Sequence, residues 1–400
     1  MAIRNFRFSL IFLITVLIVL LSFGCGTGSK GTPTPPTTGG GGGGNGGGGN
    51  GGGGGNGGGS GGSGSSPVTT ETVASGLTIP WSLQFAPDGR LFFTERPGRL
   101  RVIANGQLQP AAVFDVTSKT EGFEAGLTGM ALDPNFASNH FINVFYCSKS
   151  KPTTCEIDRL VENNGTASFD QMLFSYQEGA TDHTGGRLKI GPDNLLYLST
   201  GDWDDPSLAQ DPTSYAGKIL RMNLDGSAAP GNSDPSNPYV YALGFRDPQG
   251  LAWDSSGALY ATDNGPTAND EVDLVNIGAN YGWPNCVGIC GNSAYVDPVK
   301  LFTGQSVPPS GATFYNADAI SSFKGSLLFA TMGLKGNTAA HHLHRILFNK
   351  PGGTQIKEEE ELFKDKFGRL RDVTVGPDGF VYFSTSNGGE QDKIIRVKPQ

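Results

Sequence analysis

IGPDNLLYLSTGD, from Ile190 to Asp202, decides how this chain folds. An apolar residue leads into a Pro-Asp-Asn turn, and a run of strand formers then ends in Gly-Asp. Asp-Asn and Asp-Gly pairs supply the positive-φ residues of a tight hairpin, and the aromatic and branched residues beside them supply its strands. The pattern recurs. It reads FAPDGRLFFTER from Phe85, LDPNFASNHFINVFYC from Leu132 and WDSSGALYATDNG from Trp253. FKGSLLFATMG from Phe323 and VGPDGFVYFSTSN from Val375 complete the series. Six copies over about 333 residues give roughly 55 residues per copy, the size of a four-stranded blade with its loops. Convincing amphipathic helices are lacking. The expectation is an all-β, six-bladed β-propeller. An array of β-sandwiches would need separating linkers, and none are evident.

Outward from the repeats, the N-terminus reads as targeting sequence. Arg4 and Arg7 precede an apolar run from Leu10 to Phe23, roughly 14 residues and the length of a signal-peptide core. The run ends at Ser22-Phe23-Gly24-Cys25, similar to a bacterial lipoprotein cleavage site at which Cys25 becomes lipidated. An ordinary cleaved signal or a membrane anchor is the alternative. Residues 26–67 are mostly glycine with Asn, Ser, Thr and Pro, too poor in apolar side chains to offset their ordering entropy. As a flexible coil, some 40 residues reach roughly 35 Å. The expected organisation is a signal segment at 1–25, a tether at 26–67 and the propeller at 68–400. Its expected place is the bacterial cell envelope, periplasmic or surface-exposed, with the membrane touched only through the lipid.

Five cysteines sort by position. Cys25 is the lipid candidate. Cys147 and Cys155 flank a polar turn between strand-like runs, and Cys286 and Cys290 bracket a short loop. Two local disulfides in an oxidising compartment leave none over, and buried free thiols are the alternative. Without Arg4 and Arg7, 27 basic residues face 37 acidic ones, a net charge of −10. There is no basic stripe, so nucleic acid is not an expected partner.

Propeller loops converge on the central channel. The loops here bring His183 from blade three with Asp202 after that blade's first strand, Arg246 from blade four, Lys335 from GLKGNTAAHHLHRILF at the end of blade five, and Arg369 and Arg371 ahead of blade six. Four cations in an acidic domain predict a pocket for a small molecule with several carboxylates. The segments that carry them, with their neighbours, are PWSLQFAPDGRLFFTERPGRLRV, DHTGGRLKIGPDNLLYLSTGD, GKILRMNLDGS, YALGFRDPQGLAWD, NDEVDLVNIGANYGWP and GRLRDVTVGPDG. In this order, from about Thr78 to the C-terminus, the chain resembles the soluble quinoprotein glucose/sorbosone dehydrogenase family, which includes periplasmic aldose sugar dehydrogenases.

The resemblance implies a six-bladed propeller that holds pyrroloquinoline quinone (PQQ), a tricarboxylate, with Ca²⁺. It implies oxidation of an aldose at its anomeric hydroxyl to the lactone, with electrons passing to an acceptor that the sequence does not name. It assigns His183 as general base, Asp202 as its orienting partner and Arg246 to the charge growing on the reduced quinone. Lys335, Arg369 and Arg371 match the groups that pair with cofactor carboxylates, and Asp247 and Asn264 match cofactor-side positions. The carbonyls of Gly265 and Pro266 match cofactor-side Ca²⁺ ligands. Glu271 and the Tyr281 carbonyl match a second, structural Ca²⁺ site. Glu124 and Asp182 fall near the sugar. One departure concerns charge. The family's Arg-Asn-Pro-Gln-Gly is Arg246-Asp247-Pro248-Gln249-Gly250 here, and an aspartate there is expected to repel a tricarboxylate.

Three further motifs receive plain readings. His341 to His344, HHLH, puts His342 and His344 on one face of a strand; with no third ligand evident, it reads as a polar strand start on the rim. Lys357 to Leu362, KEEEEL, reads as a solvated loop, and Asp204-Asp205 as a turn. Two other function classes remain open. One is a cofactor-less binding propeller, favoured by Asp247. The other is a Ca²⁺-dependent hydrolase, which has no need of Lys335, Arg369 and Arg371 together.

Overall fold

The structure, a computed structural model, describes residues 67–120, 124–148, 152–178, 182–232, 234–333 and 340–400. The signal segment, Cys25, the tether and Lys335 lie outside the described residues. Among the described residues the regular elements are nearly all strands. Phe136–Asn139 forms one helical turn, and Pro206–Gln210 and Ser321–Phe323 are 3-10 turns.

The strands form six antiparallel sheets. Blade one begins with Pro80–Phe85 and Leu91–Glu95, blade two with Leu127–Leu132 and Phe141–Cys147, and blade three with Leu188–Ile190 and Leu196–Thr200. Blade four begins with Pro248–Trp253 and Leu259–Asp263, and blade five with Pro309–Tyr315 and Ser326–Thr331. Blade six begins with Leu370–Val375 and Val381–Thr385. First strands of successive blades touch from one to two, two to three, four to five, five to six and six back to one. Between blades three and four, a second strand meets the next first strand. These contacts close the ring of a six-bladed propeller.

The repeated turn explains the repeated hairpin. Asp88, Asp193, Asp254 and Asp378 each accept a hydrogen bond on Oδ1 from the backbone N–H two residues on, at 2.8–3.2 Å. That Asx turn fixes the bend before a residue of positive φ: Gly89, Asn194, Gly257 or Gly379. Each pair of adjacent blades then encloses its own apolar cluster. Leu83, Phe93 and Ile394 lie between blades six and one, and Leu328, Val373 and Phe383 between five and six. Full burial of such a side chain contributes about 1.5–3 kcal/mol. The sheets are therefore held face to face around the ring.

Two termini share blade six. Val68–Leu77 pairs antiparallel with Asp392–Pro399 and becomes the sheet's outer strand. The expected disulfides are present, Cys147–Cys155 across the second and third strands of blade two, and Cys286–Cys290 in the loop after blade four's third strand.

Three sequence readings need correction. Asp202 follows the second strand of blade three rather than the first. The segment with HHLH lies between the second and third strands of blade five and does not end the blade, and its histidines are buried rather than on the rim. KEEEEL is no loop: Ile356–Leu362 is blade five's outer strand, paired with Leu343–Phe348. Glu358 and Glu360 are balanced across the strand pair by Arg345, and Glu359 by Lys300 on blade four's outer strand, Lys300–Phe302. Asp204 and Asp205 do form a turn, in which Asp205 caps the 3-10 segment through Ser207.

Candidate active site

The site is built from two kinds of loop: those that lead into first strands and those that follow second strands. His183 lies in the first kind, with φ +48°, a left-handed conformation that costs a non-glycine residue energy. The fold holds it there. Its N–H donates to Glu124 Oε2 at 2.9 Å. Behind it Gly185, at φ +61°, donates its N–H to Asp247 Oδ1 at 3.0 Å. A Cβ at Gly201 would run into the His183 carbonyl, so the two loops approach at a distance only glycine permits.

Both ring nitrogens of His183 are engaged. Nδ1 lies 2.8 Å from Asp202 Oδ1 and Nε2 lies 2.8 Å from Arg246 Nη2. A guanidinium only donates and a carboxylate only accepts, so the neutral ring carries its hydrogen on Nδ1 and a lone pair on Nε2. Trp283 Nε1 donates to the other Asp202 oxygen at 2.8 Å and fixes that carboxylate. Burial opposes a charge on His183, but the Asp202 hydrogen bond and the negative Asp247 outweigh it, and the pKa lies above the ordinary histidine value. Arg246 is anchored as well: its Nη1 donates to the carbonyls of Asn264 and Gly265 at 2.9 and 3.2 Å.

An arginine cluster lies beyond this chain of bonds. Arg371 is buried; Nη1 donates to Gln249 Oε1 at 2.7 Å, while Nε has no partner among the described residues. Burial, with Arg96 and Arg369 next in effect, pushes its pKa down to about 9. Burial also lowers Arg96 and Arg369, and Glu124 is the nearest acid to act on both. The pKa of Glu124 is itself raised, by burial and then by Asp247. Arg96, Arg369 and Arg371 thus outnumber Glu124 and Asp392, the acids that act on them, an excess of positive charge that suits a polyanion.

The Asp247 carboxylate is hydrogen-bonded on both oxygens, and its charge still acts on His183 and Glu124. Oδ1 is bonded to Gly185, and Oδ2 accepts from Gln249 Nε2 and Asn264 Nδ2, both at 2.8 Å. Its carboxylate is committed to three internal donors and serves to tie blades three and four together. Asn264 Oδ1 is buried without a partner.

An acidic hairpin sits beside Arg246. Glu271 and Tyr281 line one small cavity, about 20 Å³, with Gly265, Pro266 and Asp263. That volume holds a single ion or water. Asp263 and Glu271 face each other across the second and third strands, and Asp273 follows on the latter. Burial, then neighbouring acids, raise Glu271 to about 8 and push Asp273 up; burial first raises Asp263 to about 7 and Asp270 to about 6. Neither oxygen of the fully buried Asp273 has a partner. Crowded carboxylates with orphaned oxygens fit a hard divalent cation.

A glucose/sorbosone dehydrogenase family model matches residues 77–396. The chain belongs to the glucose/sorbosone dehydrogenase family. By that membership it is an oxidoreductase. The quinoprotein glucose dehydrogenase B of Acinetobacter calcoaceticus is 31% identical over 56% of this chain and 54% of its own. The aldose sugar dehydrogenase YliI of Escherichia coli is 25% identical over 83% of this chain and 93% of its own. The PQQ-bound aldose sugar dehydrogenase of Streptomyces coelicolor superposes with a TM-score of 0.73, at 31% identity over 83% of this chain and 98% of that one.

Within this family member, four residues escaped the sequence reading. Arg96, Trp283, Asp263 and Asp273 all stand inside quoted segments, yet none was singled out. Arg96 follows a second strand just as Asp202 does, and that shared position was the available signal. Asp263 binds the backbone N–H groups of Arg246 and Asp247, so its role is visible only once the loops meet. Asp182 lies beside His183 in the sequence, with Oδ1 buried and unpartnered.

Proposed function

We propose that the protein oxidises aldoses at the anomeric hydroxyl to lactones, with PQQ as cofactor and Ca²⁺ beside it. One observation carries the reading: His183 is fixed by Asp202 so that its Nε2 lone pair faces Arg246, next to a buried arginine cluster. Arg96, Arg369 and Arg371 suit the three carboxylates of PQQ, and the unpaired Arg371 Nε supports that fit. Asn264, and the carbonyls of Gly265 and Pro266, are the groups that would meet the cofactor and its ion. Glu271, Asp273 and the Tyr281 carbonyl are the groups that would hold a structural Ca²⁺. When bound, the quinone supplies the hydride acceptor.

The chain's own residues do the rest. A sugar hydroxyl takes the place of Arg246 at Nε2 and gives up its proton there. The imidazolium so formed donates Nδ1–H to Asp202 and repels the displaced Arg246 guanidinium, which lies 2.8 Å from Nε2 before the sugar enters. Arg246 is thereby driven toward the negative charge that grows on the acceptor side. Trp283 keeps Asp202 from turning away, and Glu124, through the His183 N–H, keeps the ring in register.

A cofactor-less binding propeller loses its main support, because the Asp247 carboxylate is hydrogen-bonded by Gly185, Gln249 and Asn264. The decisive experiment titrates the metal-stripped, cofactor-free protein with PQQ plus Ca²⁺. An aldose panel with an artificial electron acceptor follows. Turnover that requires both additions and yields lactone supports the reading; saturable PQQ binding without turnover of any aldose would overturn it. The location proposed is the cell envelope, lipid-anchored at Cys25, and two disulfides agree with an oxidising compartment. A Cys25→Ser chain is expected in the soluble fraction; retention in the membrane would make Leu10 to Phe23 an anchor.

A further inference from the structure

The sequence reading set HHLH aside for want of a third ligand, and the fold supplies one. His344, on the third strand of blade five, is directly opposite Glu361 on the outer strand. His342 stands just ahead of that third strand. A nitrogen from each ring and an oxygen of Glu361 lie within 4.8 Å of one another. We propose that His342, His344 and Glu361 form a binding site for a divalent first-row transition metal such as zinc, with Glu359 orienting His344.

Hydrogen counting supports this. His344 Nε2 is 3.0 Å from Glu359 Oε1, and a carboxylate only accepts, so that nitrogen carries a hydrogen. His344 Nδ1 then presents a lone pair, and it lies 2.9 Å from His342 Nε2. If the hydrogen of His342 sits on Nε2 and fills that contact, its Nδ1 is left bare. Among the described residues that buried atom has no partner, and His342 is only 1% exposed. Two ring hydrogens, one toward Glu359 and one between the rings, therefore leave one buried imidazole lone pair unmatched. A cation answers it.

The chemistry is selective. Two imidazoles and one carboxylate suit zinc and its first-row neighbours better than Ca²⁺, which prefers oxygen alone. With bonds of about 2.0–2.1 Å, tetrahedral ligand atoms stand roughly 3.4 Å apart, so the ring nitrogens now 2.9 Å apart would open slightly around the ion. His344 is already held in place, stacked on Phe329 at 4.7 Å. Glu359 on the far nitrogen is the outer carboxylate that metal-bound histidines commonly have. Glu361 now pairs with Lys364 at 2.7 Å, but both side chains are about half exposed, and such a pair contributes little that a metal must displace. Glu361 also leaves the site open to solvent for entry.

Such an ion would act as a clip. The His342 N–H donates to Thr331 Oγ1 at 2.9 Å, at the end of the second strand. Two residues on, the Gly333 carbonyl accepts from Arg369 at 2.6 Å. The metal would thus join three strands of blade five beside the loop that positions a cluster arginine.

The test uses the full chain with Ca²⁺ saturating, so that the acidic hairpin of blade four does not compete. Co²⁺ is titrated to read ligand-field absorption, and Zn²⁺ affinity is measured by competition with a chelating indicator. The expected result is one equivalent of Co²⁺ with nitrogen/oxygen bands that Zn²⁺ displaces. Glu361→Gln, an exposed change that leaves the strands intact, should weaken Zn²⁺ by tenfold or more. Glu359→Gln should weaken it about 10–100-fold, as loss of an orienting carboxylate does. Glu358→Gln, which faces Arg345, should bind as the parent does. The proposal is overturned if the parent shows no saturable binding, or if Glu361→Gln and His342→Gln bind as the parent does.

Discussion

His183 is the residue whose substitution separates chemistry from packing. Its ring is held by hydrogen bonds rather than buried in an apolar cluster, so His183→Ala should fold and still bind PQQ through the arginine cluster. Turnover should fall by roughly 10²–10⁴-fold, the contribution of a positioned base, in both kcat and kcat/KM. Near-normal turnover with PQQ bound would end the assignment. The base must be neutral to work, and its pKa is raised, so kcat/KM should fall toward acid with a midpoint above about 6.5, the ordinary histidine value. Asp202 and Asp247 both raise that pKa. Asp202→Asn and Asp247→Asn should therefore each move the acid limb to lower pH, as a pH-rate profile would read. Only Asp202→Asn should also lower the plateau, because only Asp202 sets the tautomer. Equal plateaus in the two variants would mean that Asp202 does not orient the ring. His183, Asp202 and Arg246 were legible because residues with charge stand beside glycine bends. The true setting of Asp247 was not, because its donors come from three separate segments.

Single elements show why local patterns carried the fold and where they failed. A Pro-Asp-Gly turn and its flanking strands are one covalent stretch, so six copies could be seen in the chain itself. The glutamates of Ile356–Leu362 hid a strand, because alternation is invisible when nearly every residue is acidic. What makes that strand is the partner strand, with Arg345 and His344 opposite. Blade two gives an element-scale prediction. Cys147 and Cys155 are buried and face each other across the second and third strands, closing a loop of eight residues' separation. In the chain-entropy model a loop that short contributes about 2–3 kcal/mol. A Cys147→Ala/Cys155→Ala chain should lose about that much in urea unfolding. An unchanged midpoint would show that the strand register, not the bridge, holds this hairpin.

For the propeller as a whole, the closing device is the strand Val68–Leu77. It completes blade six from the other end of the described chain, with eight register pairs against Asp392–Pro399. The junction is reinforced by side chains. The Ile79 N–H donates to Asp392 Oδ2 at 2.9 Å, the Thr78 N–H to Glu95 Oε1 at 2.8 Å, and the Gln400 N–H to the Pro67 carbonyl at 2.9 Å. Ala74 and Leu77 are buried in the cluster between blades six and one, beside Leu83, Phe93 and Ile394. A chain that starts at Thr78 would keep every residue of the candidate site. It would also expose the edge of Asp392–Pro399 and open that cluster, an invitation to edge-to-edge association. Loss of about 4–5 kcal/mol at 2–4 °C per kcal/mol predicts a Tm lower by roughly 10 °C or more. A chain that starts at Pro67 keeps Val68–Leu77 and should melt like the 400-residue chain. Differential scanning calorimetry of the two truncations decides the matter. If the Thr78 chain melts as high as the Pro67 chain, the ring is closed by packing between first strands alone, and the outer strand is an ornament of blade six rather than its lock.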